Sequence, residues 1–238
     1  MAFRRSVAKS LAYSDSYSET YNENKTSRMS VLKMTSEIDA MGTFQKGVKR
    51  SVDIIGSLLG LLLFSPVFLI VYVLQKLTDW KAPAIYSQER IGLHGKPFQI
   101  YKFRTMVPNA ELNGVPQLAQ QGDNRLTKLG KVLREHHLDE LPQLWNVFIG
   151  DMSFVGYRPE RQYFIDIIMQ HNPAYEELYC SRPGVTSMAT LYNGYTDSLE
   201  KMLQRLDMDL DYLHNRSLWL DIKIIARTFL SIVGWKKF

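Results

Sequence analysis

Asp139 and Glu140 are adjacent carboxylates, and Pro142 follows two residues later. An ionised Asp can attack phosphorus as a nucleophile, or share a Mg²⁺ with a diphosphate. Proline is tolerated in a helix only in the first turn, so a helix is expected after His137 with Asp139 and Glu140 at its N-terminus. Free N–H groups and the helix dipole there keep a carboxylate ionised and attract phosphate. The cations available to such a site are Lys102 and Arg104 in KFRTM, Arg125, Arg134, Arg158 in GYRPE and Arg182 in SRPG. Brought together they would form an anion pocket, with guanidinium groups meeting phosphate through paired hydrogen bonds. Taken singly, each also reads as a surface or structural cation, and the Asp-Glu pair as helix capping.

Other chemistries are excluded more directly. The chain has neither a G-x-G-x-x-G nor a G-x-x-x-x-G-K-[ST] stretch, which removes dinucleotide and P-loop readings. His136 and His137 are neighbours and point apart on a helix, so they cannot chelate as an i, i+4 pair would. Cys180 is the single cysteine, which rules out a disulfide framework and a Cys-rich zinc site. It reads as a small buried hydrophobe.

The elements that must carry these residues fall into four stretches. Residues 1–45 are polar and irregular, with Tyr13, Tyr17 and Tyr21 at helical spacing, and are expected to form a disordered tail. No apolar core of a signal peptide follows Arg4 and Arg5. Residues 46–81 enclose 22 consecutive uncharged residues, Ile54 to Gln75, enough to cross a bilayer core of about 30 Å. Ser65-Pro66 interrupts that run at its midpoint, where Pro66 lacks an N–H and clashes with the Leu62 carbonyl. Lys46, Lys49 and Arg50 precede the run, Lys76 and Lys81 follow it, and positive-inside bias draws both ends to one face. A kinked re-entrant hairpin satisfies both facts; a single kinked span is the alternative, and a helix in a soluble core fits least.

Residues 82–238 read as a mostly helical α+β unit. Ala84–Gln88 and Pro97–Phe103 are expected strands, joined through Gly92 and Gly95. Val107–Asp123 reads as a loop, and Leu126, Leu129, Val132 and Leu133 mark an amphipathic helix. Ser198–Leu213 and Ser217–Val233 are two further amphipathic helices. The terminal Trp235-Lys236-Lys237-Phe238 suits a bilayer interface as well as a frayed end.

The net charge of +5 is unevenly placed, since residues 46–106 hold 9 basic and 3 acidic groups. Those cations flank an apolar run and make no stripe on a soluble face, which argues against nucleic acid as the anionic partner.

Read in order, KR-x-x-D at Lys49–Asp53, Ser65-Pro66, QERIG at Gln88–Gly92, KFRTM at Lys102–Met106, LDELPQLWNV at Leu138–Val147, GDMS at Gly150–Ser153, RPE at Arg158–Glu160 and RPGVT at Arg182–Thr186 form a recognisable set. The sequence resembles the bacterial sugar transferases known as monotopic phosphoglycosyl transferases, from about Lys46 to Val233. The resemblance implies a re-entrant membrane helix–break–helix at Ser65 and Pro66. A compact cytoplasmic catalytic domain with a small β element and interfacial amphipathic helices would follow, without the multi-span N-terminal region of larger members.

It also implies transfer of a phospho-sugar from a UDP-sugar to undecaprenyl phosphate, with release of UMP and with Mg²⁺, at the cytoplasmic face of the bacterial inner membrane. This would start assembly of an exopolysaccharide, capsule or O-antigen. By the same resemblance Asp139 is the nucleophile and a Mg²⁺ ligand, and Glu140 deprotonates or orients the lipid phosphate. The diphosphate would lie near Arg134, Lys102 and Arg104, and the nucleotide near Arg158, with Arg125 and Arg182 as further substrate contacts. Lys49 and Arg50 would meet lipid headgroups or the carrier phosphate, and a homodimer is an open alternative. Tyr157 stands where this family commonly has Pro, and Ser187 where it commonly has Gly. Those departures keep in view a non-catalytic adaptor of the same fold.

Overall fold

The computed structural model describes residues 38–108, 110, 116–118, 122–194 and 196–233. The tail expected over 1–45 lies mostly outside these residues, as do most of the expected 107–123 loop and the terminal Trp235–Phe238.

Helix α1 (Thr43–Leu63) and helix α2 (Ser65–Thr78) meet at Phe64 with a bend of 56°. Pro66 sits in the first turn of α2, where its missing N–H costs no helical bond. The Ser65 hydroxyl donates to the Leu62 carbonyl at 2.8 Å, satisfying one group freed at the bend. Among the described residues no single helix is long and apolar enough to cross a membrane, but this bent pair reaches that length and composition together. Leu59, Leu62 and Leu63 on α1 and Leu69, Ile70 and Leu77 on α2 are exposed.

Ordered contacts already begin before Lys46. Met41 is buried, the Ala40 amide donates to the Leu213 carbonyl at 3.3 Å, and Arg216 Nε donates to Asp39 Oδ1 at 2.6 Å.

Strands β1 (Ile85–Ile91) and β2 (Pro97–Phe103) form an antiparallel hairpin with Tyr86 opposite Lys102. β1 runs three residues beyond the expected end at Gln88. His94 and Gly95 take positive φ in the connection, which places a glycine where the left-handed region needs one. Helix α3 (Lys128–Glu135), a 3₁₀ turn (Leu138–Glu140) and helix α4 (Gln143–Ile149) follow. Strand β3 (Ser153–Val155) pairs in parallel with strand β4 (Gly184–Thr186), and helix α5 (Gln162–His171) and a 3₁₀ segment (Pro173–Cys180) lie between them. The described residues end in helices α6 (Met188–Tyr192), α7 (Leu199–Asn215) and α8 (Leu218–Val233). The two long amphipathic helices thus fall within two residues of their expected limits.

The largest core unites β1, α5, the 3₁₀ segment and α7 through Ile91, Tyr157, Ile165, Ile168, Leu178 and Leu206. The hairpin joins this body along α1. Gly60 and Gly56 let Leu144 and Phe154 approach so closely that added Cβ atoms would lie 3.1 and 2.8 Å from them. Lys49 Nζ meets Asp221 Oδ2 at 2.5 Å, and Arg50 donates to the carbonyls of Val147 at 2.6 Å and Phe148 at 2.8 Å. Both side chains are thus bonded within the protein, at positions where lipid headgroups or the carrier phosphate are the expected partners. A buried carboxylate and the open carbonyls ending α4 are stronger partners than water-screened phosphate. Lys76 is likewise taken up by the carbonyls of Trp80 and Ala82.

Helix α3 is seated on the end of β2. The Thr127 amide donates to the Thr105 carbonyl at 2.9 Å, and a Cβ on Gly130 would fall 1.9 Å from that same oxygen. Gly130→Ala is therefore expected to destabilise the protein by about 2 kcal/mol, because overpacking outweighs the roughly 1 kcal/mol that alanine gains in a helix. A melting temperature equal to or above wild type would contradict this seating.

Candidate active site

The carboxylate pair sits in a 3₁₀ turn that starts directly after His137, where the sequence predicts a helix N-terminus, and α4 itself begins at Gln143. His137 takes a left-handed φ of 54° and reverses the chain after α3. The Glu140 amide donates to the His137 carbonyl at 3.3 Å, and Pro142 then precedes α4. The turn is tight because Pro142 cannot donate backward and α4 must start anew behind it.

Glu140 is fixed by two cations from different elements. Lys102 on β2 donates to Glu140 Oε1 at 2.8 Å, and Arg158 Nη2 lies 3.6 Å from the same oxygen. Burial opposes its ionisation, but Lys102 and Arg158 outweigh burial and hold the carboxyl down at about 2. Asp139 is only 7 % exposed. Burial, and then the Glu140 charge beside it, push its carboxyl up to about 6 against the pull of Lys102 and Arg134. The pair is thus split into one firmly ionised carboxylate and one destabilised carboxylate that still ionises near neutrality. A buried anion with little compensation is the better nucleophile of the two.

Of the six expected cations, Lys102, Arg134 and Arg158 converge on this pair. The other three are held elsewhere. Arg104 pairs with Asp79 at 3.2 Å at the foot of the hairpin. Arg125 binds Asp123 at 2.5 Å and the Leu118 carbonyl at 3.2 Å. Arg182 Nε donates to the Gly150 carbonyl at 2.8 Å, with Arg50 and Asp53 as charged neighbours. Each finds an acceptor in its own loop or neighbouring turn, an arrangement that spacing along the chain cannot report.

Two further acidic groups lie beside the site. Glu160 receives Arg205 at 2.6 Å and Arg90 at 3.1 Å, clamping the Arg158–Glu160 segment. Asp209 is a buried acid on α7 in line with Met202, Leu206 and Leu213. A charge within an apolar helical stripe is the signal that would have found it.

Among the described residues no three His, Cys, Asp or Glu side chains converge into a preformed metal cage. Mg²⁺ is usually held by one or two carboxylates together with substrate phosphates. The destabilised carboxylate of Asp139 fits that mode, since a divalent cation would relieve the charge that burial and Glu140 oppose.

Paired carboxylates of unlike basicity, set among Lys and Arg beside an apolar hairpin, have the chemistry that group transfer at phosphorus requires. Residues 44–235 match the family model described as bacterial sugar transferase, and the chain belongs to that family.

Three relatives sharpen this. The chain is 40% identical over 186 residues to a UDP-N-acetylgalactosamine-undecaprenyl-phosphate N-acetylgalactosaminephosphotransferase of Aeromonas hydrophila, covering 78% of this chain and 44% of the relative. It is 42% identical over 187 residues to a UDP-glucose:undecaprenyl-phosphate glucose-1-phosphate transferase of Caulobacter vibrioides, covering 78% of this chain and 69% of the relative. A transferase with that same description from Escherichia coli K12 is 40% identical over 190 residues, which cover 76% of this chain and 39% of the relative. The chain therefore spans under half the length of two of these relatives.

Proposed function

We propose that this protein transfers a sugar-1-phosphate from a UDP-sugar to undecaprenyl phosphate, releasing UMP and starting assembly of a lipid-linked polysaccharide. The single observation that carries the reading is the buried Asp139 carboxylate beside a Glu140 pinned by Lys102 and Arg158.

In the first half-reaction Asp139 attacks the β-phosphorus of the donor. The bond from that phosphorus to the bridging oxygen breaks, UMP leaves with the electron pair, and an acyl phosphate to the sugar remains on Asp139. In the second, an oxygen of undecaprenyl phosphate attacks the same phosphorus. Asp139 departs as a free carboxylate, and the sugar is left on a polyprenyl diphosphate. Glu140, held ionised by Lys102 and Arg158, orients the acceptor phosphate by accepting a hydrogen bond when that phosphate arrives protonated. Lys102, Arg134 and Arg158 neutralise the charge that builds on the transferred phosphoryl group. Asp139 would hold Mg²⁺ together with the donor diphosphate, which supplies further charge neutralisation there.

The bent α1–α2 pair suits an acceptor that cannot leave the bilayer, because it would hold the site at the membrane surface. On this reading both arms enter and leave on the cytoplasmic face of the bacterial inner membrane. Membranes carrying the full chain, given Mg²⁺, undecaprenyl phosphate and each of a panel of UDP-sugars, should release UMP with at least one donor. A covalent intermediate requires ping-pong kinetics and exchange of labelled UMP into the donor without acceptor. Turnover that needs both substrates bound, with no such exchange, would overturn the intermediate.

A further inference from the structure

Behind Arg158, on the side away from Glu140, lies a buried polar site that the transfer reaction does not use. Helix α7 grips the Arg158–Glu160 segment at two points one turn apart. Arg205 binds the Glu160 carboxylate at 2.6 Å, and Asp209 Oδ2 accepts from the Arg158 amide at 3.4 Å. Arg90 holds the same segment from β1, donating to the Pro159 carbonyl at 3.1 Å.

Three oxygens here have no hydrogen-bond partner among the described residues: Asp209 Oδ1 and the hydroxyls of Tyr157 and Tyr175. All three side chains are buried, at 1 to 3 % exposure. Leaving a buried polar atom unpaired costs about 1–3 kcal/mol, so three neighbouring orphans call for a shared partner. A cavity of about 10 Å³, room for one water, is lined by Asp209, Tyr175, Arg158 and Arg205.

Tyr157 brings one of the orphan hydroxyls, and the Ser187 hydroxyl faces the Asp209 carboxylate. Burial pushes that carboxyl up to about 7, while Arg205, the Arg158 amide and Ser187 favour its ionised form.

We propose that Asp209 is a positioning residue for Arg158: through the Arg158 amide, and through one water lodged between its free oxygen and the Tyr175 hydroxyl, it sets where the guanidinium meets Glu140. Tyr157 and Ser187 lie outside the cavity lining and act on it only through Asp209.

The activity readout rests on the transferase reading, and the test separates the two. UMP release is measured for the full chain in membranes, with Asp209→Asn introduced into wild type and into Arg158→Ala. Asp209→Asn should lower kcat/KM about tenfold in wild type and less than about twofold once the Arg158 side chain is gone, a coupling of about 1 kcal/mol or more. Tyr175→Phe, which keeps the packing, should follow the same pattern with a loss of about threefold. Equal losses in both backgrounds, or none in wild type, would overturn the proposal. If wild type releases no UMP from any UDP-sugar, the transferase reading fails by itself. The proposal is then decided by amide hydrogen exchange at Arg158. Exchange at least about tenfold faster in Asp209→Asn, with α1 and α2 unchanged, supports it, and unchanged exchange overturns it.

Discussion

Asp139→Asn is expected to abolish UMP release, by at least about a thousandfold, while raising the melting temperature at pH 8. The two effects share one cause. Burial and the Glu140 charge raise the Asp139 carboxyl to about 6 in the folded protein. A group whose folded pKa is raised contributes stability that is fully present below its unfolded pKa, near 3.9, and lost as pH rises through about 6. At pH 8 the folded state therefore carries an anion that water would solvate better. A neutral amide of the same shape removes that strain, a gain of order 2–3 kcal/mol or several degrees in a chain of this size. Melts of both proteins at pH 5 and pH 8 should show the gap narrowing in acid. A variant less stable than wild type at pH 8 would show that Asp139 is not electrostatically strained. The same displacement predicts that UMP formation falls tenfold per pH unit below about 6, since only the carboxylate attacks.

The second large effect lies far from the chemistry. Asp39→Ala should cost about 3–5 kcal/mol, because it strands the Arg216 guanidinium, 5 % exposed, without its acid partner. Lys46, 2.6 Å from Asp39, would lose its partner too. Asp39→Ala combined with Arg216→Met should recover most of the loss, since an apolar pair of similar volume needs no counter-charge. A single variant that melts within a degree or two of wild type would refute the importance of this clasp. The pH sign here is opposite to that of Asp139. Burial raises the Asp39 carboxyl, but Arg216 and Lys46 prevail and hold it below the usual carboxylate range. Its contribution is present above about pH 4 and disappears as pH falls below that.

How much of this the sequence discloses follows from how local each cause is. The hairpin is legible because an uncharged run and a central proline are both properties of neighbouring residues. The same holds for α7 and α8, whose apolar residues recur at helical spacing, and for β2, whose side chains alternate. Strands β3 and β4 are not legible: each is three residues long, and they pair in parallel across some 30 residues that include α5. The helical start after His137 is legible from Pro142, whereas its 3₁₀ form and the left-handed step at His137 are not, because no glycine announces them. Arg104, Arg125 and Arg182 have the right charge for an anion pocket, and only the tertiary path shows that each is satisfied nearby. The bonds of Lys49 and Arg50 within the protein are hidden for the same reason, since Asp221 lies 172 residues from Lys49 in sequence.

That last pair has a consequence for the acceptor. Lys49 and Arg50 fasten the first arm of the hairpin to α8 and to the end of α4, and Gln75 fastens the second arm to the Arg104 carbonyl at 3.0 Å. Arg104 lies two residues from Lys102, and α4 follows directly from Glu140. Neither arm can tilt without pulling on an element that carries the site. With the hairpin seated in a bilayer, the elevation of Asp139 above the headgroups becomes a constant of the fold. Acceptors are then sorted by altitude before they are sorted by chemistry. A phosphate tethered at that one level arrives at high local concentration, whereas a dissolved phosphate or a stray water has no such advantage in reaching the proposed acyl phosphate.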